Sequence, residues 1–254
     1  MLEPRRGSRP ESQRKLSVHM ARSPAEICDA QRLRYRVFAE EMGARLPTAA
    51  EGIDRDRFDA WCEHLLVTDE DTGEVIGTYR ILTGATAKLI GGFYSEQEFD
   101  LARLGHLRDR SIETGRSCVH PEHRGGGVIA LLWAGLAEYM QKTGYEYILG
   151  CASMNMLDGG HAAAAAYRRL RETYLSPVEY RVFPRCPLPL HELDQNAAPS
   201  IPALIKAYLR VGAYVCGDPA WDPDFNTADL LMLLSMSRVD QRYAKHFMRN
   251  AGQP

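Results

Sequence analysis

The sequence has no hydrophobic run that reaches ~18 residues, so we expect none of its helices to cross a membrane. Its first residues, MLEPRRGSRPESQRK, are basic but include no apolar segment, which excludes a secretory signal. The 254 residues carry a formal net charge of −2, which argues against a nucleic-acid partner. We therefore expect a cytoplasmic protein, while basic residues near both ends allow peripheral contact with an anionic inner-membrane surface.

The usual spacings of metal ligands are also missing. The six cysteines form no C-x-x-C pair, and the eight histidines form no H-x-H or H-x-x-x-H pair. We therefore predict no metal site and expect free thiols in a reducing compartment. Hydrophobic residues make up 45% of the chain and charged residues 25%, which is typical of a globular protein with a sizeable core.

Hydrophobic periodicity predicts intermixed strands and helices between residues 16 and 250, after a disordered basic arm over residues 1–15. Strands are predicted in LSVHMA, in the hairpin EHLLVTDEDTGEVIGTYRILT, in SIETGRSCVH, in YEYILGCASM, and over 213–217 and 229–236. Helices are predicted in SPAEICDAQRLRYRVFAEEMG, after HRGGG, in HAAAAAYRRLRETYL and in PALIKAYLRVGA. The sequence has no Rossmann fingerprint, so the fold class is α/β (α+β).

A glycine-rich turn lies between the strand SIETGRSCVH and an apolar helix. The free N–H groups and the dipole of a helix N-terminus attract anions, and glycines let a phosphate approach the backbone. No Lys-Ser/Thr pair follows the glycines, so the turn is not a Walker A motif. The candidate phosphate-binding residues are Arg124, Gly125, Gly126, Gly127, Val128 and Ile129.

The segment VHPEHRGGGVIALLW resembles the coenzyme-binding segment of the GNAT acyltransferases, whose pattern is Arg/Gln-x-x-Gly-x-Gly/Ala. Arg124 and Gly127 fit this pattern, whereas Ile129 replaces its last small residue. In that family the turn binds the pyrophosphate of coenzyme A. The phosphopantetheine of a carrier protein has a single phosphate, so the degraded pattern is compatible with a carrier-protein donor.

Four more segments resemble the acyl-homoserine-lactone synthase branch of the GNAT fold, in the right order over about a hundred residues. They are LRYRVFAEEMG, DRFDAWCEHLLV, GTYRIL and ETGR, and the matching positions are Arg34, Phe38, Asp56, Asp59, Arg80, Glu113 and Arg116. The tryptophan that this branch has shortly after the phenylalanine is absent here, which argues against adenosyl-methionine chemistry.

From about residue 16 to 250 the chain is more similar to the L-ornithine N-alpha-acyltransferases of bacterial ornithine-lipid synthesis. LLWAGLAEYM, ILGCASM and LIKAYLRVGAYVCGDPAWDPDFNTADLLMLL carry this resemblance. It implies a single GNAT domain with an insertion around 156–199. Its mixed central sheet would be flanked by helices and splayed at the pantetheine site. It also implies transfer of a 3-hydroxyacyl chain from acyl carrier protein to the alpha-amine of ornithine, with the acyl-phosphopantetheine (or acyl-CoA) as co-substrate and no tightly bound cofactor.

An amine attacks a thioester only when it is neutral, and free alpha-amines have a pKa near ~8. We therefore expect a carboxylate to accept a proton, and Glu113 is the candidate because it lies on the strand beside the glycine turn. Arg116 would reach the same site only through a β-bulge. Tyr208, which precedes Gly212 in a GNAT-like pattern, is the candidate general acid. A backbone N–H near residues 117–119 would stabilise the oxyanion.

The acidic loop before the hairpin offers ligands for the acceptor. The two carboxylates of Asp56 and Asp59 suit an acceptor with two amines. Arg80 would hold the acceptor carboxylate or pair with one of these aspartates, and Arg34 and Phe38 would join it from the preceding helix. The basic helix around 168–171 is a candidate dock for acyl carrier protein.

The residues also allow other readings. The same fold could acetylate a small amine from acetyl-CoA, or act as a homoserine-lactone synthase. A non-catalytic protein could bind acyl carrier protein or an anionic membrane through its basic ends. Cys118 could form an acyl-enzyme with His120 as its base.

Overall fold

The computed structural model of the protein describes residues 15–239. The predicted basic arm lies outside this range except for Lys15, and so does most of the basic C-terminal end. The helices of the described part are α1 (Pro24–Tyr35), α2 (Gly84–Ile90), α3 (Gly127–Thr143), α4 (His161–Tyr174) and α5 (Ala203–Arg210). The strands are β1 (Leu16–Met20), β2 (Glu63–Asp69), β3 (Glu74–Thr83), β4 (Phe99–Asp100), β5 (Ser111–Val119), β6 (Tyr147–Asn155), β7 (Phe183–Pro184), β8 (Tyr214–Val215), β9 (Ala220–Asp222) and β10 (Thr227–Ser235).

Eight of these strands form one mixed sheet in the order β1-β2-β3-β5-β6-β10-β8, with β9 paired to β10. Neighbouring strands are antiparallel except β5 and β6, which are parallel. The strands predicted over 213–217 and 229–236 correspond to β8 and β10, which pair with each other, while β9 is an additional strand between them in the chain. The predicted mixed sheet is therefore confirmed.

The alternation of side chains along the strands puts helices on both faces of the sheet. On β2, Leu65 and Val67 pack with α3, whereas Leu66 packs with α1 on the opposite face. The helices α4 and α5 pack on β6 and β10 on the same face as α3. We call this the α3 face and the opposite one the α1 face.

The start of α1 follows from its sequence. Ser23 and Glu26 form a reciprocal capping box, and Pro24 occupies the first turn. Ala30, Leu33 and Val37 are buried. After α1 the chain continues in wider π-helical turns over Arg36–Glu41, so the predicted single helix changes geometry before it ends.

Two glycines fix the position of α3 against the sheet. A Cβ atom at Gly77 on β3 would lie 2.5 Å from Cγ1 of Val128, and one at Gly135 on α3 would lie 2.8 Å from Cγ2 of Val18. Only glycine allows these close approaches. The first turn of α3 is therefore held tightly beside β3, and its middle beside β1.

The strands β5 and β6 separate soon after they start. Their pairing covers only Ser111↔Tyr147, Ile112↔Ile148 and Glu113↔Leu149, although both strands continue for six more residues. At the point of separation, a Cβ atom at Gly150 would lie 2.2 Å from the carbonyl oxygen of Thr114. Beyond it, β5 pairs only with β3 and β6 only with β10. This is the predicted splay of the sheet.

The predicted insertion around 156–199 contains α4 and β7. Its helix α4 buries Ala163, Ala166, Tyr167 and Leu170 against the sheet, which extends the core on the α3 face. Among residues 15–239, no helix is both long and apolar enough to cross a membrane.

Candidate active site

A cavity of about 690 Å³ opens where β5 and β6 separate. It passes through the sheet, since its wall includes Tyr79 and Tyr208 on the α3 face and Arg80 on the α1 face. Eight of the predicted site residues line it, namely Phe38, Arg80, Glu113, Arg116, Arg124, Gly126, Ile129 and Tyr208. The sequence motifs that are far apart in the chain are thus brought to one cavity.

The glycine turn forms one end of this cavity. Gly126 has φ +106° and caps α3, which starts at Gly127, so the N–H groups of the first turn have no partner within the helix. Gly126 and Ile129 line the cavity, while Val128 is fully buried against the sheet. Together with Gly125, these residues form a helix N-terminus that can accept an anion.

Arg124 holds the turn in place. Its guanidinium donates two hydrogen bonds to the carboxylate of Glu41, at 2.6 and 2.7 Å, and its Nε donates to the carbonyl of Val119 at 3.1 Å. The hydrogen bonds from Arg124 hold the pKa of Glu41 below its ordinary value. The arginine therefore links the π-helical extension of α1, the end of β5 and the glycine turn.

A β-bulge brings Arg116 into the cavity. Arg116 lies three residues after Glu113, so in a regular strand the two side chains would point to opposite faces. Thr78 pairs with Cys118 and Arg80 with Gly115, so Arg116 and Ser117 together face the single residue Tyr79. Arg116 has φ +51°, which is unusual for a residue with a side chain. Bulges and left-handed backbone of this kind are common next to active sites.

The acidic loop forms a buried ion network with three arginines. Asp59 pairs with Arg34 (2.8 Å) and with Arg80 (3.0 Å), and Arg34 also pairs with Asp54 (2.9 Å). Burial opposes ionisation of Asp59, but the charges of Arg34 and Arg80 hold its pKa well below the usual range. Asp56 pairs with Arg80 at 2.7 Å and completes the network.

Arg34, Asp56 and Asp59 do not line the cavity. Arg34 and Asp59 are buried, with side chains 0% and 4% exposed, and they lie behind Arg80. Asp54 belongs to the same network and was missed by the sequence analysis. The signal was present, because Asp54, Asp56 and Asp59 form one run of acids.

Arg116 lies at the junction of the network and the cavity. It is 3.2 Å from Asp54 and 3.4 Å from Asp56, and its guanidinium stacks over the rings of Tyr94 (4.9 Å) and Phe225 (4.5 Å). Phe38 packs edge-on against Phe225, with ring centroids 5.9 Å apart. Two arginines, Arg80 and Arg116, thus present their guanidinium groups at the cavity wall.

Glu113 is buried in the cavity wall on the α1 face. Its carboxylate accepts hydrogen bonds from the backbone N–H groups of Tyr94 (2.6 Å) and Ser95 (2.8 Å). Burial raises its pKa, and the two N–H donors oppose this shift only in part. A carboxylate has about four lone-pair sites, so two remain for further hydrogen bonds.

Tyr208 lies on α5 at the other side of the cavity. Its hydroxyl is 2.5 Å from that of Tyr79, and its ring stacks on Trp133 with a centroid distance of 5.5 Å and an angle of 4°. Burial raises the pKa of Tyr208 well above its ordinary value. Tyr79 and Trp133 were missed because nothing in the sequence links them to Tyr208.

Cys118 does not have the surroundings of a nucleophile. It is buried in the core between α1 and the sheet, and burial raises the pKa of its thiol to about 12. A reactive cysteine needs a lowered pKa, because the thiolate is the attacking species.

A second group of acids lies deeper in the site and has no counterpart in the sequence analysis. Glu98, Cys151 and Asp229 have side-chain ligand atoms within 4.8 Å of one another. Burial raises the pKa of Asp229, and the nearby charge of Asp222 raises it further. Cys151, Asp222 and Asp229 line the cavity, and Glu98 lies behind them. The only sequence signal is one acid in the apolar strand TADLLMLLS.

Glu98→Gln is expected to stabilise the protein increasingly as pH rises. Burial and the charges of Asp229 and Asp222 raise the pKa of Glu98 from 4.5 to about 10. Because Glu98 binds its proton more tightly in the folded state than in the unfolded state, its contribution to stability is complete below pH ~4.5 and is lost as pH rises towards 10. The uncharged glutamine does not undergo this loss. Between pH 5 and 9 the difference in unfolding free energy should grow by up to about 1.4 kcal/mol per pH unit. Urea unfolding of wild type and variant measures it, with the exposed Glu172→Gln as control; parallel stability curves would contradict it.

Comparison with known proteins agrees with this architecture. Residues 33–134 match the family model described as an acetyltransferase (GNAT) domain. The acyl-homoserine lactone synthase BjaI, solved with SAM and isopentyl-CoA, superposes with a TM-score of 0.53 at 14% identity, over 94% of this chain and 91% of that one. FeeM, an N-acyl amino acid synthase from uncultured soil microbes, gives 0.53 at 13% identity, over 89% and 93%. At these identities the likeness shows the GNAT fold.

Two curated proteins are much more similar in sequence. The L-ornithine N(alpha)-acyltransferase of Agrobacterium fabrum (strain C58 / ATCC 33970) is 39% identical over 252 residues, which are 91% of this chain and 85% of that protein. That of Rhizobium meliloti (strain 1021) is 37% identical over 255 residues, or 94% and 86%. This chain therefore belongs to the L-ornithine N(alpha)-acyltransferases, a family of acyltransferases with the GNAT fold.

Proposed function

We propose that the protein transfers a 3-hydroxyacyl chain from acyl carrier protein to the alpha-amine of ornithine and so forms a lyso-ornithine lipid. The names of its relatives support ornithine as the acceptor. The observation that carries the proposal is the separation of β5 and β6 beside the glycine turn, with one cavity reaching from that turn to two arginines and a buried carboxylate.

The phosphopantetheine arm of the donor lies in the gap between the two strands. Its amides replace the hydrogen bonds that β5 and β6 stop making to each other after Glu113 and Leu149. Its phosphate binds the free N–H groups at the start of α3. This places the thioester beside residues 114–118, near the middle of the cavity.

A carrier protein suits this turn better than coenzyme A does. The guanidinium of Arg124 is already paired with Glu41, and Ile129 occupies the place of a small residue, so a single phosphate is easier to bind than a pyrophosphate. Arg168, Arg169 and Arg171 are exposed on α4 and give an acidic carrier protein a surface of opposite charge. The basic residues beyond the described range remain candidates for contact with an anionic membrane.

The acceptor binds through Arg80 and Arg116. Their guanidinium groups hold its carboxylate, while Phe38 packs against its carbon chain. Arg34 and Asp59 act as positioning residues, because they are buried behind Arg80 and fix its side chain. Asp56 does the same for both arginines and faces the solvent with 22% of its side chain.

Glu113 takes the proton of the attacking alpha-amine. The neutral nitrogen attacks the thioester carbon, the C–N bond forms as the C–S bond breaks, and the second proton that the nitrogen loses on becoming an amide passes to the departing thiolate. Burial raises the pKa of Glu113, which makes it a stronger base than an exposed glutamate. Tyr208 keeps its proton because burial raises its pKa, and it donates a hydrogen bond to the departing sulfur. A backbone N–H between residues 117 and 119 stabilises the oxyanion.

The test uses purified protein, ornithine and three donors: 3-hydroxyacyl carrier protein, 3-hydroxyacyl-CoA and acetyl-CoA. We expect mass spectrometry to find N-alpha-acylated ornithine with the carrier-protein donor and a much lower rate with either CoA ester. Faster transfer from acetyl-CoA would replace the proposal by small-amine acetylation. Absence of product from every donor would overturn it.

Gly126→Ala is expected to weaken donor binding. At φ +106° a Cβ atom meets no neighbour, so the substitution causes backbone strain of about 1–2 kcal/mol without a clash. Relaxation of the turn should raise KM for the acyl donor by about 5- to 30-fold and leave KM for ornithine unchanged. The control is Gly144→Ala at the other end of α3, which has φ +76° and similarly open space. Equal donor KM values in the two variants would contradict the role of the turn.

A further inference from the structure

Two aspartates at the far end of the cavity share one face of the sheet. In the β9–β10 pair, Asp222 lies opposite Thr227 and Asp229 lies opposite Ala220. Residues that lie opposite each other in a sheet share a face, and so do residues two apart on one strand. Asp229 therefore shares a face with Ala220 and with Asp222, and this is the α1 face. Asp229 also lies opposite Ser153 of β6, which lines the same cavity. The pair therefore faces the space that Arg80 and Glu113 face.

These acids lack a cation within the described chain. Asp229 is only 4% exposed, and its Oδ1 atom is enclosed without a hydrogen-bond partner. Both carboxylate oxygens of Glu98, which lies behind Asp229, are also buried without a hydrogen-bond partner. Within residues 15–239 no arginine, lysine or histidine forms an ion pair with Asp222, Asp229 or Glu98. Without a cation, burial raises the pKa of Glu98 and of Asp229, so that Glu98 keeps its proton near neutral pH. A positive ligand beside Asp229 would favour the ionised carboxylate.

The arginines across the cavity cannot supply this charge, because they are neutralised by the acids of the loop. Arg80 and Arg116 pair with Asp56, and each has a second aspartate partner. The two charged ends are separated by aromatic rings. The guanidinium of Arg116 stacks over the ring of Phe225, and the backbone N–H of Phe225 donates a hydrogen bond to Asp222 at 3.1 Å. The cavity thus has guanidinium groups on one side and carboxyl groups on the other, with aromatic rings between them.

We propose that Asp222 and Asp229 form a subsite for the side-chain ammonium of the acceptor, so that the enzyme selects an amino acid with a second amine. This rests on the proposed N-acylation of ornithine and assigns one part of that recognition. Asp222 is held rigid, since its Oδ1 accepts the N–H groups of Asp224 and Phe225. The carboxylate of the acceptor lies at the arginines and its ammonium at the aspartates, which leaves the alpha-amine free to reach the thioester.

A divalent cation is the rival ligand, because Glu98, Cys151 and Asp229 are close enough to share one. The ammonium fits the geometry better. Asp222 and Asp229 both line the cavity, whereas Glu98 does not, so these two aspartates offer oxygens to a ligand that arrives through the cavity. Cys151 remains a thiol, since burial raises its pKa well above its ordinary value, and a metal would have to remove that proton.

The test compares ornithine with norvaline, which has the same carbon chain without the second amine. Wild type should prefer ornithine in kcat/KM by about 100-fold or more, because a site built for a polar group rejects an analogue that lacks it. In Asp229→Asn and Asp222→Asn the rate with ornithine should fall towards that with norvaline, while the norvaline rate stays unchanged. Asp224→Asn, an exposed neighbour outside the cavity wall, should behave as wild type.

Calorimetric binding of ornithine and norvaline to the free protein gives a second readout that does not depend on turnover. If no acceptor is acylated but ornithine still binds more tightly than norvaline through Asp229, the subsite stands and the proposed reaction fails. Equal losses with both acceptors, or no loss with ornithine, would overturn the subsite. So would a rate that EDTA removes and added Zn²⁺ or Mg²⁺ restores in wild type but not in Asp229→Asn.

Discussion

Glu113→Gln is expected to lower kcat by about 10²–10⁴-fold, the usual contribution of a positioned base. The amide cannot take the proton of the attacking amine. Wild type should lose kcat as pH falls, with an apparent pKa above that of an exposed glutamate, because burial raises the pKa of Glu113. In the variant this acidic limb should be absent. Steady-state rates from pH 5 to 9 at saturating donor and acceptor measure both effects.

The same substitution also affects the backbone around Tyr94 and Ser95, whose N–H groups both donate to the carboxylate of Glu113. A glutamine has one acceptor oxygen, so a stability loss of about 1–3 kcal/mol is expected as well. The pH profile separates the two roles, since a purely structural role would lower kcat and keep the acidic limb. Glu146→Gln, an exposed residue just before β6, is the matched control. A variant with kcat within threefold of wild type would reject the role as base.

Arg34→Met is expected to lower the free energy of unfolding by about 3–5 kcal/mol. The arginine is fully buried and pairs with Asp54 and Asp59, whose side chains are 3% and 4% exposed. Methionine fills much of the volume but leaves Asp54 without one of its two cations. The loss should be greatest above pH ~4, because the lowered folded pKa of Asp59 adds stability only above its pKa in the unfolded chain. Urea unfolding at pH 7 measures it.

Arg36→Met is the control for this change, since Arg36 lies two residues later and its ion pair with Glu74 is about half exposed. Its removal should alter stability by less than about 0.5 kcal/mol. The double variant Arg34→Met/Asp59→Asn should recover part of the loss, because it removes one of the uncompensated charges. A loss below about 1 kcal/mol in the single variant would show that the network does not contribute to stability in this way.

The elements that the sequence predicted well are those with local signals. The capping box of Ser23 and Glu26, the turn of the β2–β3 hairpin and the glycines before α3 all act within a few residues, so a short stretch of sequence is enough to predict them. The change to π-helical turns after Tyr35 and the short strand β9 have no such local signal. Both depend on contacts with distant parts of the chain.

The site residues also fall into those that the sequence could identify and those that depend on contacts between distant segments. The resemblance to known families identified the arginines, the acidic loop and Glu113, and the structure brings Phe38, Arg80, Glu113 and Arg116 to one cavity. The sequence could not tell that Arg34 and Asp59 would be buried behind Arg80, because burial depends on how α1 packs. The group around Asp229 was missed for a similar reason. Glu98, Cys151 and Asp229 come from three separate segments and meet only in the folded sheet.

The helix α1 and its π-helical extension contribute to both halves of the cavity. Arg34 anchors the acids that position the guanidinium groups, and Glu41, seven residues later, clamps Arg124 beside the glycine turn. In the proposed reaction, one continuous segment would therefore position both substrates. A one-residue deletion between Arg34 and Glu41 would turn Glu41 by roughly 100° around the helix axis. In that reaction, the length of this segment would set the distance between the amine and the thioester carbonyl.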